Sequence, residues 1–170
     1  LEEFKEKKQT PTMGGVVFLF VPLIVLLLVD YKAYFQTEVI LIAMAYLSFG
    51  LIGLYDDYLI LVKKDNIGFT TGKKFFVEVV LAVIFGIIWY RFNDGQVGFH
   101  IPFTTSFIGI GWLYLLVIIF MLSGVSNAVN LTDGMDGLAG GTVFLALIPY
   151  AFFAFKLNNT GVLTLLLCVL

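Results

Sequence analysis

Long apolar runs, separated by short polar stretches, repeat along the whole chain. A helix that crosses a bilayer needs about 20 mostly apolar residues, and five runs meet this requirement. The five predicted spans cover about residues 13–29, 39–55, 75–92, 107–125 and 138–155, and a truncated sixth span covers 161–170. The pattern therefore predicts an all-α fold, a polytopic bundle of transmembrane helices that forms a single domain.

Composition supports this class of protein. Of the 170 residues, 60% are hydrophobic and 13% are charged, whereas a soluble domain is about 25% charged. The apolar runs lack the polar helical face of a soluble helix, which argues against a soluble protein with a large core. Pro22 and Pro149 fall inside predicted spans, where neighbouring groups or waters must satisfy the carbonyl that each proline leaves without a donor. The chain begins with Leu and stops inside an apolar run, so we expect a piece of a longer protein.

Basic residues are distributed unequally between the two predicted sides of the membrane. The N-terminal segment, the 56–74 loop and the 126–137 loop lie on one side and together carry seven lysines, against three Lys or Arg residues on the other side. The positive-inside rule places the lysine-rich side in the cytoplasm. Most of the acids lie on the same side, and because acids do not set topology, their excess needs another cause. On the outer side, an Asp-Gly turn and the alternation within 93–105 predict a short β-hairpin.

An acidic pair, Asp56 and Asp57, follows the second predicted span. The simplest interpretation is a polar cap at the membrane surface. However, acids at a helix C-terminus oppose the macrodipole, and adjacent carboxylates at a low-dielectric boundary disfavour each other's charged form unless a cation compensates. Mg²⁺ would compensate, since it prefers carboxylate and phosphate oxygens. An adjacent acidic pair is a weak signal by itself.

The stretch NAVNLTDGMDG, residues 127–137, is a polar island between two apolar runs. Its amides and carboxylates recur every three residues, at Asn127, Asn130, Asp133 and Asp136. On a helix this spacing forms one face. Gly134 and Gly137 instead favour a turn or a broken helix, whose backbone N–H groups can meet an anion or a base. A plain loop rich in Asn, Asp and Gly explains this stretch equally well when it is taken alone.

Two more stretches on the predicted cytoplasmic side carry candidate chemistry. KKQTPTMGG, residues 7–15, is typical of a helix start, with Thr10 as N-cap and Pro11 in the first turn. The lysines of 63–74 serve topology and attract anionic lipid, or else they steer a phosphorylated substrate. Together, the acids, lysines, amides and glycines on one face favour a metal-assisted phosphate reaction between a soluble donor and a membrane-bound acceptor.

KKQTPTMGG, DDY at 56–58 and NAVNLTDGMDGLAGG at 127–141 stand in an order that resembles the family of bacterial phospho-N-acetylmuramoyl-pentapeptide transferases. That family belongs to the polyprenyl-phosphate N-acetylhexosamine-1-phosphate transferase superfamily. The resemblance covers the whole chain and implies homodimers of ten-helix subunits in the bacterial inner membrane. It also implies that the family's first helix, last helices, M-G-D-x-G-S motif and histidine-rich loop lie beyond this sequence. We therefore expect the 170 residues alone to be inactive.

The resemblance implies a reaction and its partners. Phospho-MurNAc-pentapeptide would pass from UDP-MurNAc-pentapeptide to undecaprenyl phosphate, which yields lipid I and UMP in the first membrane step of peptidoglycan synthesis. The enzyme would be a Mg²⁺-dependent phosphoglycosyl transferase that serves cell-wall synthesis, cell shape and division. Its site would lie on the cytoplasmic face of a multi-pass protein. The implied partners are the two substrates and the bilayer, and they do not include nucleic acid.

The resemblance also implies a role for each matched residue. Asp56 and Asp57 would position or deprotonate the lipid phosphate near Mg²⁺, and Asp133 would join them as a catalytic and metal-binding group. The implied substrate-binding residues are Lys7, Thr12, Lys64, Lys74, Asn127, Asn130, Gly134, Met135 and Asp136. One departure is Ile60, where the family's D-D-x-x-K pattern carries a lysine. Lys63 or Lys64, one turn later, is the candidate substitute.

Three alternatives remain open. A sister transferase would use UDP-GlcNAc, although the TPTMGG motif argues against it. An ion-coupled transporter would carry its acids near the middle of the spans, whereas here the candidate acids cluster at one face. A membrane segment without a site would tolerate replacement of those acids.

Overall fold

The computed structural model describes residues 14–63, 69–101, 103–134 and 137–170. Helices dominate the described residues, and the only sheet among them has two strands. The helices are α1 (Gly15–Val29), α2 (Tyr31–Tyr34), α3 (Thr37–Lys63), α4 (Thr71–Phe92), α5 (Tyr114–Thr132), α6 (Leu138–Lys156) and α7 (Thr160–Val169). The strands are β1 (Gly98–His100) and β2 (Phe107–Gly109), and a 3₁₀ turn, Gly111–Leu113, leads into α5.

Four helical segments of the described chain are long and apolar enough to cross a membrane. They are Thr37–Val62, Thr71–Phe92, Gly111–Thr132 and Leu138–Lys156. Helices α1 and α7 are apolar but shorter. The 15 residues of α1 extend for about 22 Å at the helical rise, less than the ~30 Å hydrocarbon layer. The predicted first residue of that span, Met13, lies outside the described residues. The all-α transmembrane bundle predicted from the sequence is confirmed.

Helix α3 is longer than the predicted second span. The prediction ended the span at residue 55, but the helix continues to Lys63. Asp56 and Asp57 therefore lie nearly two turns before the helix end. The dipole argument applied to them from the sequence does not hold, because the effect is confined to the last turn.

The start of the predicted fourth span also differs in the structure. Residues Phe107–Gly109 form strand β2 instead of helix, and α5 begins only at Tyr114. Hydropathy alone does not separate a short apolar strand from the start of an apolar helix. A short hairpin does form, since β2 pairs antiparallel with β1 and Phe99 lies opposite Ile108. Its position differs from the prediction, because β2 lies beyond residues 93–105 and the Asp94-Gly95 turn precedes β1 instead of connecting the strands.

Pro22 lies inside α1 and removes one helical hydrogen bond. The carbonyl that loses its donor is that of Phe18, four residues earlier. The Tyr46 hydroxyl of α3 donates to this carbonyl. This contact is the compensation expected for a proline inside a membrane helix, and it ties α1 to α3.

The best-buried apolar cluster joins α1, α2, α3 and α7. Its buried members are Leu23, Leu26, Ala33, Val39, Ala43 and Leu165. Gly161 permits this approach, because a Cβ atom at that position would lie 2.7 Å from the Ala33 Cβ atom. At the same end of the bundle, the Thr160 hydroxyl donates to Asp30 and the Asn159 amide donates to Glu38. Helices α4 and α5 pack along each other and complete the frame of the site.

Candidate active site

A cavity of about 340 Å³ lies at the end of the bundle opposite the contact between Thr160 and Asp30. The start of α1, the middle and end of α3, the start of α4 and the end of α5 surround it. Its polar lining residues are Tyr46, Asp56, Asp57, Lys74, Asn130 and Asp133. Five of these six residues were predicted from the sequence. Described residues of the 56–74 and 126–137 stretches thus line one cavity at one end of the bundle.

Lys74 connects three helices at the centre of this cavity. From the first turn of α4, its Nζ atom donates to Asp56 Oδ2 on α3 at 3.0 Å and to Asn130 Oδ1 on α5 at 3.4 Å. The Lys74 side chain is 12% exposed and that of Asp56 is 21% exposed. A lysine at a helix N-terminus opposes the helix dipole, and the Asp56 carboxylate offsets this cost. The partial burial of the pair also shields it from the screening that weakens surface pairs.

The second oxygen of Asp56 is also engaged. Asp56 Oδ1 accepts a hydrogen bond from the Phe69 backbone N–H at 2.6 Å. The Phe69 ring packs edge-on against the ring of Tyr55, with centroids 5.5 Å apart. Asp56 therefore holds Phe69, shortly before α4, against α3, in addition to its ion pair with Lys74.

Asp57 and Asp133 have a different environment. Both side chains are exposed and line the cavity, and in the described part of the chain no donor forms a hydrogen bond with either carboxylate. Asp133 is also the C-cap of α5, so its charge opposes the negative end of that helix. Two carboxylates that line one cavity without such a donor repel each other, and a cation would relieve this repulsion. Considering only residues 14–63, 69–101, 103–134 and 137–170, no group of three or more His, Cys, Asp or Glu residues is placed to hold a metal.

The polar island is helical in its first half and broken in its second half. Helix α5 continues through Thr132, whose hydroxyl donates to the Ala128 carbonyl at 2.8 Å. Gly137, with φ of 78°, precedes α6 in the left-handed conformation that glycine adopts readily. Both interpretations drawn from the sequence are thus correct for part of the stretch.

The polar residues of the helical half lie at two depths along α5. Asn130 and Asp133 line the cavity. Asn127 lies one turn deeper, and its Nδ2 atom donates to Glu78 Oε2 at 2.5 Å and to the Ser123 carbonyl at 2.8 Å. Gly134 follows Asp133 and is exposed, but it does not line the cavity. The structure therefore does not bring Asn127 and Gly134 to the cavity wall.

Several predicted positions are not described. Lys7, Thr12, Lys64, Met135 and Asp136 lie outside the described residues, and their substrate-binding roles stay predictions. Ile60, where the resembling family carries lysine, is 38% exposed and does not line the cavity. The candidate substitutes stay predictions, because the side chain of Lys63 and the whole of Lys64 lie outside the described part of the chain.

The sequence analysis missed Glu78, which is 1% exposed. Its carboxylate accepts hydrogen bonds from Asn127 and from the Ser126 hydroxyl, the latter at 3.0 Å. Two signals were available in the sequence. A glutamate interrupts an apolar run, where ionisable residues tend to be functional, and it lies four residues after Lys74, on the same helical face.

Comparison with known proteins places the chain in a family. The profile of glycosyl transferase family 4 matches residues 39–170, and a signature of phospho-N-acetylmuramoyl-pentapeptide-transferase matches residues 7–19. The chain belongs to glycosyl transferase family 4, and it is a multi-pass membrane protein of that family.

Curated relatives narrow the similarity further. The chain is 43% identical over 159 residues to the phospho-N-acetylmuramoyl-pentapeptide-transferase of Staphylococcus carnosus. It is 42% identical to the protein of that name from Staphylococcus saprophyticus, and 40% identical to one from Staphylococcus aureus. Each match covers 92% of this chain and 50% of the relative. The chain thus spans about half the length of the curated relatives it matches.

Proposed function

We propose that the protein is a phosphoglycosyl transferase that moves phospho-MurNAc-pentapeptide from UDP-MurNAc-pentapeptide to undecaprenyl phosphate. The products would be lipid I and UMP. The observation that carries this proposal is the cavity at one end of the bundle, where three aspartates, a lysine and an asparagine converge. Polar groups are costly in a membrane bundle, so their convergence favours a site for charged substrates. The names of the relatives supply the substrate class.

In this proposal, Lys74 binds a phosphate group of the nucleotide donor. An ammonium group has three N–H donors, and among the described residues two of them are directed at Asp56 and Asn130. The third is available to a substrate in the cavity. Asp56 and Asn130 fix the ammonium group before the substrate arrives. Little conformational entropy of the Lys74 side chain is therefore lost when the substrate binds.

We propose Asp57 and Asp133 as the principal ligands of Mg²⁺. Mg²⁺ is bound in many phosphate sites by one or two carboxylates together with substrate phosphates, and these two carboxylates fit that requirement. Asp56 would have to share its oxygens with Lys74 and the Phe69 amide. When bound, Mg²⁺ would neutralise charge on the donor pyrophosphate and on the departing UMP.

The reaction itself is a displacement at phosphorus. An oxygen of the lipid phosphate forms a bond to the β-phosphorus, and the bond from that phosphorus to the bridging oxygen breaks, so that UMP leaves with the electron pair. Asp56 and Asp57 position the lipid phosphate, and one of the two carboxylates accepts its remaining proton. The bilayer holds the acceptor at a fixed depth, which supplies part of the proximity effect.

The location of the site follows from the same proposal. The lysine-rich ends of the helices face the cytoplasm of a bacterial inner membrane, where the soluble nucleotide donor is available. We also propose that the full-length protein forms a homodimer, in keeping with the family resemblance in the sequence.

Variants of the cavity aspartates test this function. In the full-length protein, Asp56→Asn, Asp57→Asn and Asp133→Asn should each lower the transfer rate by more than about 100-fold, the scale of losing a catalytic acid–base group. The matched control is Asp94→Asn, which changes an aspartate in the turn after α4, at the far end of that helix from Lys74. The rate of UMP release measures the effect. Near-normal release by all three folded variants would refute the assignment.

A further inference from the structure

Glu78 is the only fully buried charged side chain among the described residues. It lies inside a segment long enough to cross the membrane, Thr71–Phe92. A buried acid in such a segment is costly unless its oxygens are satisfied. Here each oxygen accepts one hydrogen bond, Oε1 from Ser126 and Oε2 from Asn127. The proposed reaction makes no use of this carboxylate.

The contacts of Glu78 lie directly beneath the candidate active site. A second cavity of about 220 Å³ is lined by Glu78 and Ser126 together with Lys74, Asn130 and Asp133. The last three residues also line the larger cavity. Glu78 is therefore one layer away from the groups proposed to hold the substrates.

Helices α4 and α5 meet through two polar contacts that lie about one helical turn apart. On α4, Lys74 and Glu78 are four residues apart, so they share a face. On α5, Asn127 and Asn130 are three residues apart and also share a face. Glu78 contacts Asn127, and Lys74 contacts Asn130. These two polar contacts join the same faces of α4 and α5 next to the cavity.

We propose that Glu78 is a positioning residue of the site. Its carboxylate holds the Asn127 amide and the Ser126 hydroxyl, and thereby fixes the direction in which Asn130 and Asp133 project from the last turns of α5. Asn127 then acts as the partner of Glu78, because its Nδ2 group is already engaged by Glu78 and by the Ser123 carbonyl. The expected effect of Glu78 on catalysis rests on the proposed function, whereas its effect on the orientation of Asn130 and Asp133 does not.

A purely structural role is the competing explanation, since removal of any buried, hydrogen-bonded acid lowers stability. Three variants of the full-length protein separate the two. Glu78→Met keeps the length of the side chain and removes both acceptors. Glu78→Gln keeps an acceptor for Asn127 and presents a donor to the Ser126 hydroxyl, which can accept it. Ile118→Ala is the stability control, because Ile118 is buried on α5 near Gly86 and far from the cavity residues.

Kinetics and stability are measured on the same preparations in lipid nanodiscs. Glu78→Met should lower kcat/KM for UDP-MurNAc-pentapeptide by about 10- to 100-fold, the scale expected when reacting groups are misplaced by a fraction of an ångström to an ångström. Glu78→Gln should stay close to wild type. Ile118→Ala should lower the Tm and leave kcat/KM close to wild type.

A second readout does not depend on activity. Asn130→Cys, with Cys168 and any cysteine outside these 170 residues replaced by Ala, provides a single cysteine at the cavity. Its rate of reaction with a maleimide reports how accessible position 130 is. Glu78→Met should change that rate, and neither Glu78→Gln nor Ile118→Ala should change it.

Each result decides the proposal. Wild-type kinetics in Glu78→Met, an equal loss in Ile118→Ala at matched Tm, or an equal loss in Glu78→Gln would overturn the positioning role. An unchanged maleimide rate in Glu78→Met would also overturn it. Absence of transfer in the wild-type protein would count against the proposed function alone, and the labelling rates would still decide the role of Glu78.

Discussion

Lys74 contributes position more than stability. Its ammonium group contacts Asp56 on one neighbouring helix and Asn130 on the other. Ion pairs that are taken out of water recover little net stability, because the cost of desolvation offsets the attraction. The ion pair instead holds the Lys74 ammonium group at a fixed place in the cavity. Asp57 and Asp133 line the same cavity, and their carboxylates accept no hydrogen bond within the described chain.

Asp57 and Asp133 lead to a prediction about magnesium. Because the two carboxylates face the same cavity and Asp133 caps the end of α5, their mutual repulsion should be relieved by a divalent cation. We expect EDTA to abolish transfer by the full-length protein and added Mg²⁺ to restore it. Asp133→Asn should need more Mg²⁺ for half-maximal activity than wild type. Transfer that persists in EDTA would contradict a metal role.

Residues with a polar side chain in an apolar context could be predicted from the sequence. Asp56, Asp57, Lys74, Asn130 and Asp133 were all singled out, and the structure gathers them around one cavity. The reason is energetic, since a membrane segment retains such groups only at a cost. Hydrogen-bond partners that are distant in the sequence were harder to predict. The bond from Ser126 to Glu78 joins residues 48 positions apart, and no local pattern specifies that pairing.

At the scale of elements, helices were easier to predict than their ends. Backbone polar groups must form hydrogen bonds within the segment when they lie in lipid, and a helix satisfies this requirement. Long apolar runs therefore identify the spanning helices. The ends depend on tertiary contacts that hydropathy does not record. Helix α3 continues past the acidic pair to Lys63, and pairing with β1 turns Phe107–Gly109 into a strand. The acidic pair thus lies inside a helix, and an apolar segment forms a strand, although hydropathy predicts a loop and a helix for them.

The close approach of α7 to α2 and α3 depends on Gly161. A Cβ atom there would lie 2.7 Å from the Ala33 Cβ and 2.8 Å from the Val39 Cγ2 atom. Gly161→Ala should therefore lower the free energy of unfolding by about 1–3 kcal/mol, the usual cost of overpacking. Denaturation in mixed detergent measures the change.

The matched control for Gly161 is Gly124→Ala. Gly124 lies inside α5, with open space where the methyl group of an alanine would stand. Alanine there should be neutral or should stabilise the helix by up to about 1 kcal/mol. Equal effects of the two substitutions would contradict the close packing of α7 against α2 and α3.

At the scale of the whole molecule, chemistry and anchoring occupy opposite ends of the bundle. One end holds the cavity with Lys74 and the cavity aspartates. The other holds the hydrogen bonds of Asp30 and Glu38 with Thr160 and Asn159. Large apolar side chains along the helices, such as Leu28 and Phe120, are 77–78% exposed and suit contact with lipid. The proposed function requires such a division, because it places the transfer reaction at one membrane face.

The identity of the nucleotide donor tests the central claim most directly. The full-length protein, reconstituted with undecaprenyl phosphate and Mg²⁺, is given UDP-MurNAc-pentapeptide or UDP-GlcNAc, and UMP and the lipid-linked product are measured. We predict UMP and lipid-linked product in equal amounts from UDP-MurNAc-pentapeptide, and neither from UDP-GlcNAc. Product from UDP-GlcNAc alone would indicate the sister transferase, and no product from either donor would contradict the account.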